Sequence, residues 1–169
     1  MHQFQPYPME VLEFNPFKKI GQDWGVIVTE KDGKTNGMTA SWGSVGVLWN
    51  MNIATIFVRD SRFTKEMLDE TDTFSVNFFE EGKMKSAMGY LGKVSGRNED
   101  KLTNARLTVN HQCDTAFLDE SNFVLICRKL SATRLTEESF LDPTIKENFY
   151  KDGDMHTMYV GEIMEVLAR

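Results

Sequence analysis

Several features that define large protein classes are missing from this sequence of 169 residues. The longest unbroken apolar run, residues 123–127, has five residues, whereas a membrane-spanning helix needs about 20. The first 20 residues contain acidic residues and prolines but no continuous apolar stretch, so we expect no signal peptide and no membrane partner. The formal charge is −6, from 19 Lys and Arg against 25 Asp and Glu. Because a general nucleic-acid-binding protein needs a net basic surface, we expect no nucleic-acid partner.

Motifs for metal binding and for nucleophilic catalysis are also missing. The two cysteines, Cys113 and Cys127, lie outside any CxxC motif, and we predict free thiols in a reducing cytoplasm, with a disulfide between them as the alternative. The three histidines, His2, His111 and His156, are far apart and have no cysteine at ligand spacing, which argues against a structural zinc site. The absence of GxG and GxSxG sequences excludes a dinucleotide-binding fingerprint and a nucleophile elbow.

Patterns typical of β-strands recur along the chain. Residues 24–30 are rich in β-branched side chains, residues 31–34 contain a DG turn, and a second strand is expected from about residue 35. Further strands are predicted at 52–59, 73–80, 122–136 and 155–167, and short helices at 63–71 and 84–91. Because the strands mostly do not alternate with helices, we predict one mainly β domain, 1–169, an antiparallel barrel with helical insertions rather than a doubly wound sheet.

Four polar clusters stand at the ends of these predicted elements. They are NGMTASWG (36–43), RDSRFT (59–64), KVSGR (93–97, with Asp100 and Lys101 just beyond) and GDMH (153–156). The second and third clusters combine cations with hydroxyl groups near a helix start, which suits a phosphate. The first has small side chains that let main-chain amides approach a flat ring, and a Trp that offers an apolar surface beside it. A planar ring joined to a phosphate indicates a nucleotide-like cofactor, and FMN fits without a dinucleotide-binding fold.

Each of these features also has a simpler interpretation. Single Arg and Lys residues at loop ends are usually solvated. The three tryptophans are individually more typical of a core or an interface, and residues 39–41 are compatible with an edge strand. His156 alone fits a hydrogen-bonded strand histidine as well as a site residue. The residues by themselves therefore support a hypothesis of an anion-and-ring site and no more.

Six stretches, taken in order, add a resemblance to a known family. They are NGMTASWGSVGVLWN (36–50), FVRDSRFTKEML (57–68), DTFSVNFFEE (72–81), GKVSGRNEDK (92–101), FVLICRKL (123–130) and DMHTMYVGEIMEV (154–166). Together they resemble the flavin reductase-like family of FMN-binding split barrels, in particular its flavoredoxin-like branch. The resemblance implies a six-stranded antiparallel Greek-key split barrel and a homodimer with FMN bound near the subunit interface.

The resemblance also implies roles for matching residues. The segment along the isoalloxazine ring is matched by Thr39, Ala40, Ser41 and Trp42. The segment that holds the ribityl phosphate is matched by Arg59, Ser61, Arg62 and Thr64. The SGR-type loop that approaches the cofactor is matched by Lys93, Ser95 and Arg97. His156 resembles the histidine of a GDH element on the nicotinamide side, although Met155 intervenes between Asp154 and His156. Leu91 stands where relatives often carry Cys, and Asn98 replaces a frequent Asp.

The implied activity is that of an NAD(P)H-dependent flavin oxidoreductase. The flavin carries the redox chemistry, so the absence of a catalytic triad is no obstacle. His156 would orient the substrate or donate a hydrogen bond. One alternative is a flavoredoxin-like electron carrier that keeps FMN bound and exchanges electrons with protein redox partners without oxidising NAD(P)H. Another is an FMN-free barrel that binds a different small molecule.

Overall fold

The structure, a computed structural model, describes residues 1–169. Its strands are β1 (Gln5–Pro6), β2 (Gly25–Lys31), β3 (Lys34–Ala40), β4 (Gly43–Leu48), β5 (Met51–Arg59), β6 (Thr73–Phe78), β7 (Val109–Gln112), β8 (Thr115–Leu118), β9 (Phe123–Arg134) and β10 (His156–Ala168). Its α-helices are α1 (Pro16–Lys18), α2 (Phe63–Glu70), α3 (Lys85–Lys93), α4 (Lys101–Asn104) and α5 (Pro143–Phe149). A π-helical turn (Lys19–Asp23) and two 3₁₀ turns (Met9–Val11 and Glu137–Ser139) complete the elements.

The main sheet is antiparallel throughout and curls into a split barrel. Its strands lie in the order β3-β2-β6-β9-β10-β5-β4, and β1 pairs with the end of β10. Strands β3 and β4 lie at opposite ends of this order, yet only Ser41 and Trp42 separate them in the chain. The sheet must therefore bend round until its two ends meet. The neighbours β5, β10, β9 and β6 form a Greek key.

The predicted fold class is confirmed. The six predicted strands are β2, β3, β5, β6, β9 and β10, and the predicted helices are α2 and α3. The DG turn is also present, with Asp32 and Gly33 at φ of 50° and 74°, as a tight hairpin requires. Strands β1, β4, β7 and β8 were not predicted. Helix α3 was predicted to end at residue 91, but it runs through Gly92 and stops at Lys93.

Two apolar clusters on opposite faces of β2 hold the helices against the barrel. Ile27 points into the barrel interior and packs in a cluster with Phe74 and Leu125. Val26 and Val28 point outward into a second cluster that includes Leu91 of α3. Because successive strand residues face opposite sides, β2 is buried on both faces, and α3 is fixed beside the end of β3.

Both cysteines are free thiols, as predicted, with Cys113 exposed and Cys127 buried. None of the helices is both long enough and apolar enough to cross a membrane.

Candidate functional site

The twelve predicted site residues all line one of two adjoining cavities. The first, called here the strand cavity, has a volume of about 210 Å³ and is lined by Met38, Thr39, Ala40, Ser41, Trp42, Phe57, Arg59, Arg62 and His156. The second, the loop cavity, has a volume of about 120 Å³ and is lined by Met38, Ser61, Arg62, Phe63, Thr64, Lys93, Val94, Ser95, Gly96, Arg97 and Lys101. Met38 and Arg62 line both, so the two cavities adjoin at these side chains.

Strand β3 gives the strand cavity a wall of main-chain groups. The strand pairs with β2 on one side only, so the N–H and C=O groups of its other side have no strand partner. The hydroxyl of Thr39 donates to the Met88 carbonyl of α3 at 2.6 Å, which holds this strand end against the helix. The adjoining Trp42 is 40 % exposed. This wall can therefore offer both main-chain hydrogen bonds and an aromatic surface to a flat ligand.

His156 faces the strand cavity from the neighbouring strands. It opens β10 and pairs with Arg59 at the end of β5, so both side chains lie on the same side of the sheet. Its Nδ1 is 2.9 Å from the Tyr150 hydroxyl, and its ring centroid is 5.0 Å from that of Trp42. Burial, reinforced by the charge of Arg59, lowers the pKa of His156 to about 4. The imidazole is therefore neutral at neutral pH.

Arg59 and Ser61 hold the chain segment that leads into His156. The Arg59 guanidinium donates to the carbonyls of Phe149, at 3.0 Å, and Asp154, at 2.6 Å. The Ser61 N–H and hydroxyl both donate to the Asp154 carboxylate, at 3.0 and 2.6 Å. The resemblance placed Arg59 with the phosphate-holding residues, whereas the structure places it on the strand cavity. Ser61 thus uses both of its donors within the protein, and Arg59 uses two of its five N–H groups.

Cations and hydroxyl groups surround the loop cavity. Arg62 precedes α2 and donates to the Gly92 carbonyl at 2.8 Å. Arg97 donates to the Ser61 carbonyl at 3.1 Å and forms an ion pair with Glu66. The buried Thr64 hydroxyl accepts a hydrogen bond from Asn36 at 2.8 Å. Two further residues complete the set: the Ser95 hydroxyl accepts from the Arg97 N–H at 3.3 Å, and Lys93 ends α3.

Gly96 allows the loop of residues 94–100 to lie directly on β3. A Cβ at this position would overlap Oδ1 of Asn36 and lie 3.1 Å from the Phe63 ring. Only a residue without a side chain fits there, so Gly96 sets how closely this loop approaches the cavity.

Comparison with known families identifies the fold's relatives. The model of the flavin reductase like domain matches residues 17–169. The chain belongs to the flavin reductase-like family. This confirms the resemblance found in the sequence. A comparison with curated proteins finds no match.

Several solved structures share this architecture. A flavoredoxin from Methanosarcina acetivorans is 26% identical, with a TM-score of 0.67 over 87% of this chain and 68% of that chain. An FMN-binding protein from Thermus thermophilus, solved with 1-cyclohex-2-enone, is 20% identical, with a TM-score of 0.65 over 85% and 68%. An FMN-binding domain of a flavin reductases-like enzyme from Shewanella baltica is 14% identical, with a TM-score of 0.69 over 98% and 77%.

Lys101, which the sequence places just beyond the third polar cluster, lines the loop cavity, although the resemblance gave it no role. It opens α4 and is 5 % exposed. Its Nζ donates to the carbonyls of Leu91 and Val94, both at 3.1 Å, and forms no ion pair with a carboxylate. Burial, with the nearby charge of Arg62, lowers the pKa of Lys101 to about 8. A bound anion would stabilise a buried ammonium that has no counter-charge, so Lys101 is a candidate anion ligand of the loop cavity.

Proposed function

We propose that the chain is an FMN-binding oxidoreductase of the flavin reductase type, which takes a hydride from NAD(P)H and passes electrons on to an acceptor. The observation that carries this proposal is the pair of adjoining cavities. One has an aromatic and main-chain wall, the other is lined by four cations, and they meet at Met38 and Arg62. Family membership and the FMN-binding proteins among the similar structures support the same cofactor.

The residues present fit FMN at both ends of the site. The free edge of β3 and Trp42 would lie along the ring, and the phosphate would be held by donors of the loop cavity: Arg62, Thr64, Lys93, Ser95, Arg97 and Lys101. Guanidinium and ammonium groups beside hydroxyls provide the charge-assisted hydrogen bonds that a phosphate prefers. When bound, FMN supplies the hydride and electron chemistry. The side chains of the protein then bind and orient.

We assign His156 the role of a neutral group beside the reacting region. Its low pKa keeps it uncharged at pH 7, so it can donate one hydrogen bond without bringing a positive charge into the strand cavity. Arg59 and Ser61 support this role indirectly, because they hold the Asp154 end of the segment that leads into His156. Apolar side chains of Met38 and Phe57 on the same cavity keep water from part of its wall.

Anaerobic mixing with NADH or NADPH tests the activity. The purified protein loaded with FMN should lose its flavin absorbance band on mixing with one of the two nucleotides.

The second candidate function is a flavoredoxin-like electron carrier, which the 26% identity to the Methanosarcina acetivorans flavoredoxin favours. Absence of bleaching with both nucleotides, together with reduction by a protein donor, would select the carrier. Protein that does not bind added FMN would reject both.

We propose that the protein acts as a homodimer in a reducing compartment such as the cytoplasm. The end of β4 and the turn that follows it expose Val47, Leu48 and Trp49, of which Trp49 is 56 % exposed. Neighbouring exposed apolar groups are typical of an interface. Both thiols are free, which agrees with a reducing compartment. Light scattering on the purified protein should give twice the 19.4 kDa chain mass, and a mass of one chain would reject the dimer.

A further inference from the structure

Tyr150 packs against the buried side of His156, the histidine that lines the strand cavity. It follows α5, is 5 % exposed, and its hydroxyl lies 2.9 Å from Nδ1 of His156. The two rings meet edge to face, with centroids 5.5 Å apart at 89°. Trp42 contacts the imidazole as well. The imidazole is thus held by two aromatic rings and by one hydrogen bond to Nδ1.

The position of Tyr150 is itself fixed by several neighbours. Phe140 stacks on its ring with centroids 4.9 Å apart at 20°. The Arg59 guanidinium lies 5.4 Å from the same ring centroid, and it donates to the carbonyls of Phe149 and Asp154 on either side of Tyr150 in the chain. Because these contacts involve the ring and the main chain, loss of the hydroxyl alone would leave Tyr150 in place.

The direction of the hydrogen bond between Tyr150 and His156 follows from the other partners that each group has. Burial raises the pKa of the Tyr150 hydroxyl, so the hydroxyl keeps its proton at neutral pH. Its only hydrogen-bond partner is Nδ1 of His156. If Nδ1 carried the proton, the buried tyrosine hydrogen would have no acceptor, which costs about 1–3 kcal/mol. Tyr150 therefore donates and Nδ1 accepts.

We infer that Tyr150 is a positioning residue that holds His156 in the tautomer with its proton on Nε2. The Nε2 nitrogen makes no hydrogen bond to the protein, and the ring lines the strand cavity, so Nε2–H is the donor that His156 can offer a ligand there. The use of this donor for a flavin or nicotinamide acceptor rests on the proposed function. The tautomer itself does not depend on that proposal.

Nitrogen-15 NMR of the imidazole rings decides the tautomer in the full-length protein at pH 7. The His156 signals are assigned from spectra of the His2→Gln and His111→Gln variants. We expect the wild-type spectrum to show a protonated Nε2 and an unprotonated Nδ1, both with and without FMN. A protonated Nδ1 in the wild-type protein overturns the inference without any variant being needed.

The Tyr150→Phe variant tests whether the hydroxyl sets the tautomer. We expect a mixture of both neutral tautomers in this variant, unchanged FMN affinity, and flavin reduction slowed in proportion to the lost fraction of the Nε2–H tautomer, about twofold for an even mixture. Tyr7→Phe makes the same chemical change at a half-exposed site outside both cavities and should alter none of these. A single Nε2–H tautomer in Tyr150→Phe overturns the role of the hydroxyl. If no nucleotide reduces the wild-type protein, the proposed function fails and the NMR result still decides the tautomer.

Discussion

Lys101 carries a charge that burial disfavours and that a bound phosphate would favour. With its pKa lowered to about 8, the side chain is already protonated below that pH, and binding a phosphate there requires no proton uptake. Above that pH a proton must be taken up on binding, so the affinity for FMN should fall by up to about tenfold per pH unit. Titrations followed by flavin fluorescence between about pH 7 and 9 measure this slope. Lys101→Met should bind more weakly at pH 7 and lose the slope, and a flat wild-type profile would exclude Lys101 from the anion site.

Arg62 lines both cavities, and its removal should weaken the phosphate end of the site. For Arg62→Ala we expect FMN affinity to fall by about 1.5–3 kcal/mol, the value of a lost charge-assisted hydrogen bond. Isothermal titration with FMN gives the difference directly. The control is Arg128→Ala, which removes an exposed arginine paired with Glu162 away from both cavities. Equal affinity of Arg62→Ala and wild-type protein would reject Arg62 as a phosphate ligand.

His156 should affect reduction more than binding. It faces the strand cavity, whereas the proposed phosphate ligands lie in the loop cavity, so His156→Ala should keep FMN and react more slowly with the nicotinamide nucleotide. Stopped-flow absorbance measures the rate, and a parallel FMN titration measures retention. Reduction at the wild-type rate would remove His156 from the reacting region.

At the scale of elements, the loop between α3 and α4 depends on one glycine. A Cβ at Gly96 would overlap Asn36, whose amide donates to Thr64. Gly96→Ala should therefore displace the loop, lower the free energy of unfolding by about 1–3 kcal/mol and weaken FMN binding. Gly89→Ala is the matched control, because a Cβ there meets nothing within 4 Å and alanine favours a helix by up to about 1 kcal/mol. Denaturant unfolding and FMN titration compare the two variants; equal behaviour would show that the loop is not constrained by Gly96.

The elements differ in how far the sequence could predict them. Strands β2, β5 and β6 are buried runs of apolar and β-branched residues, so pattern alone located them. Strand β4, in contrast, is a largely exposed edge with the sequence GSVGVL, which has no buried alternation to detect. Helix α3 continues through Gly92, because the helix packs on β2 through the second apolar cluster and tertiary contacts outweigh the propensity of one residue.

The candidate site was predictable only in part, because tertiary packing decides which side chains become buried or paired. Its twelve predicted residues were found through motifs that resemble a family, and the structure brings them together. The burial of Lys101 was not visible, since it depends on how α3 and α4 pack. The contact between Tyr150 and His156 depends on the chain reversal at Gly153, whose φ is +74°. The sequence also could not show that Arg59 and Ser61 use their donors on Phe149 and Asp154.

At the scale of the whole molecule, the segment between β9 and β10 is anchored mainly beside the strand cavity. Most of its side chains from residue 136 to 149 are exposed, while Arg59 and Tyr150 hold its far end. Because a ligand in that cavity stabilises the anchored state, FMN at ten times its dissociation constant should slow trypsin cleavage after Lys146 about tenfold. Cleavage after Lys83, in an exposed turn, should not change. Mass spectrometry of timed digests follows both sites, and equal protection of both would refute this anchoring.

Arg59 links the strand cavity to the segment between β9 and β10. Its guanidinium lines the strand cavity and donates hydrogen bonds to carbonyls of this segment. Ligand binding in the cavity and ordering of the segment are therefore coupled equilibria. Such coupling is reciprocal. A redox partner that docks on residues 136–149 and tightens them would raise the affinity for the ligand by the same factor by which the ligand raises the affinity for the partner.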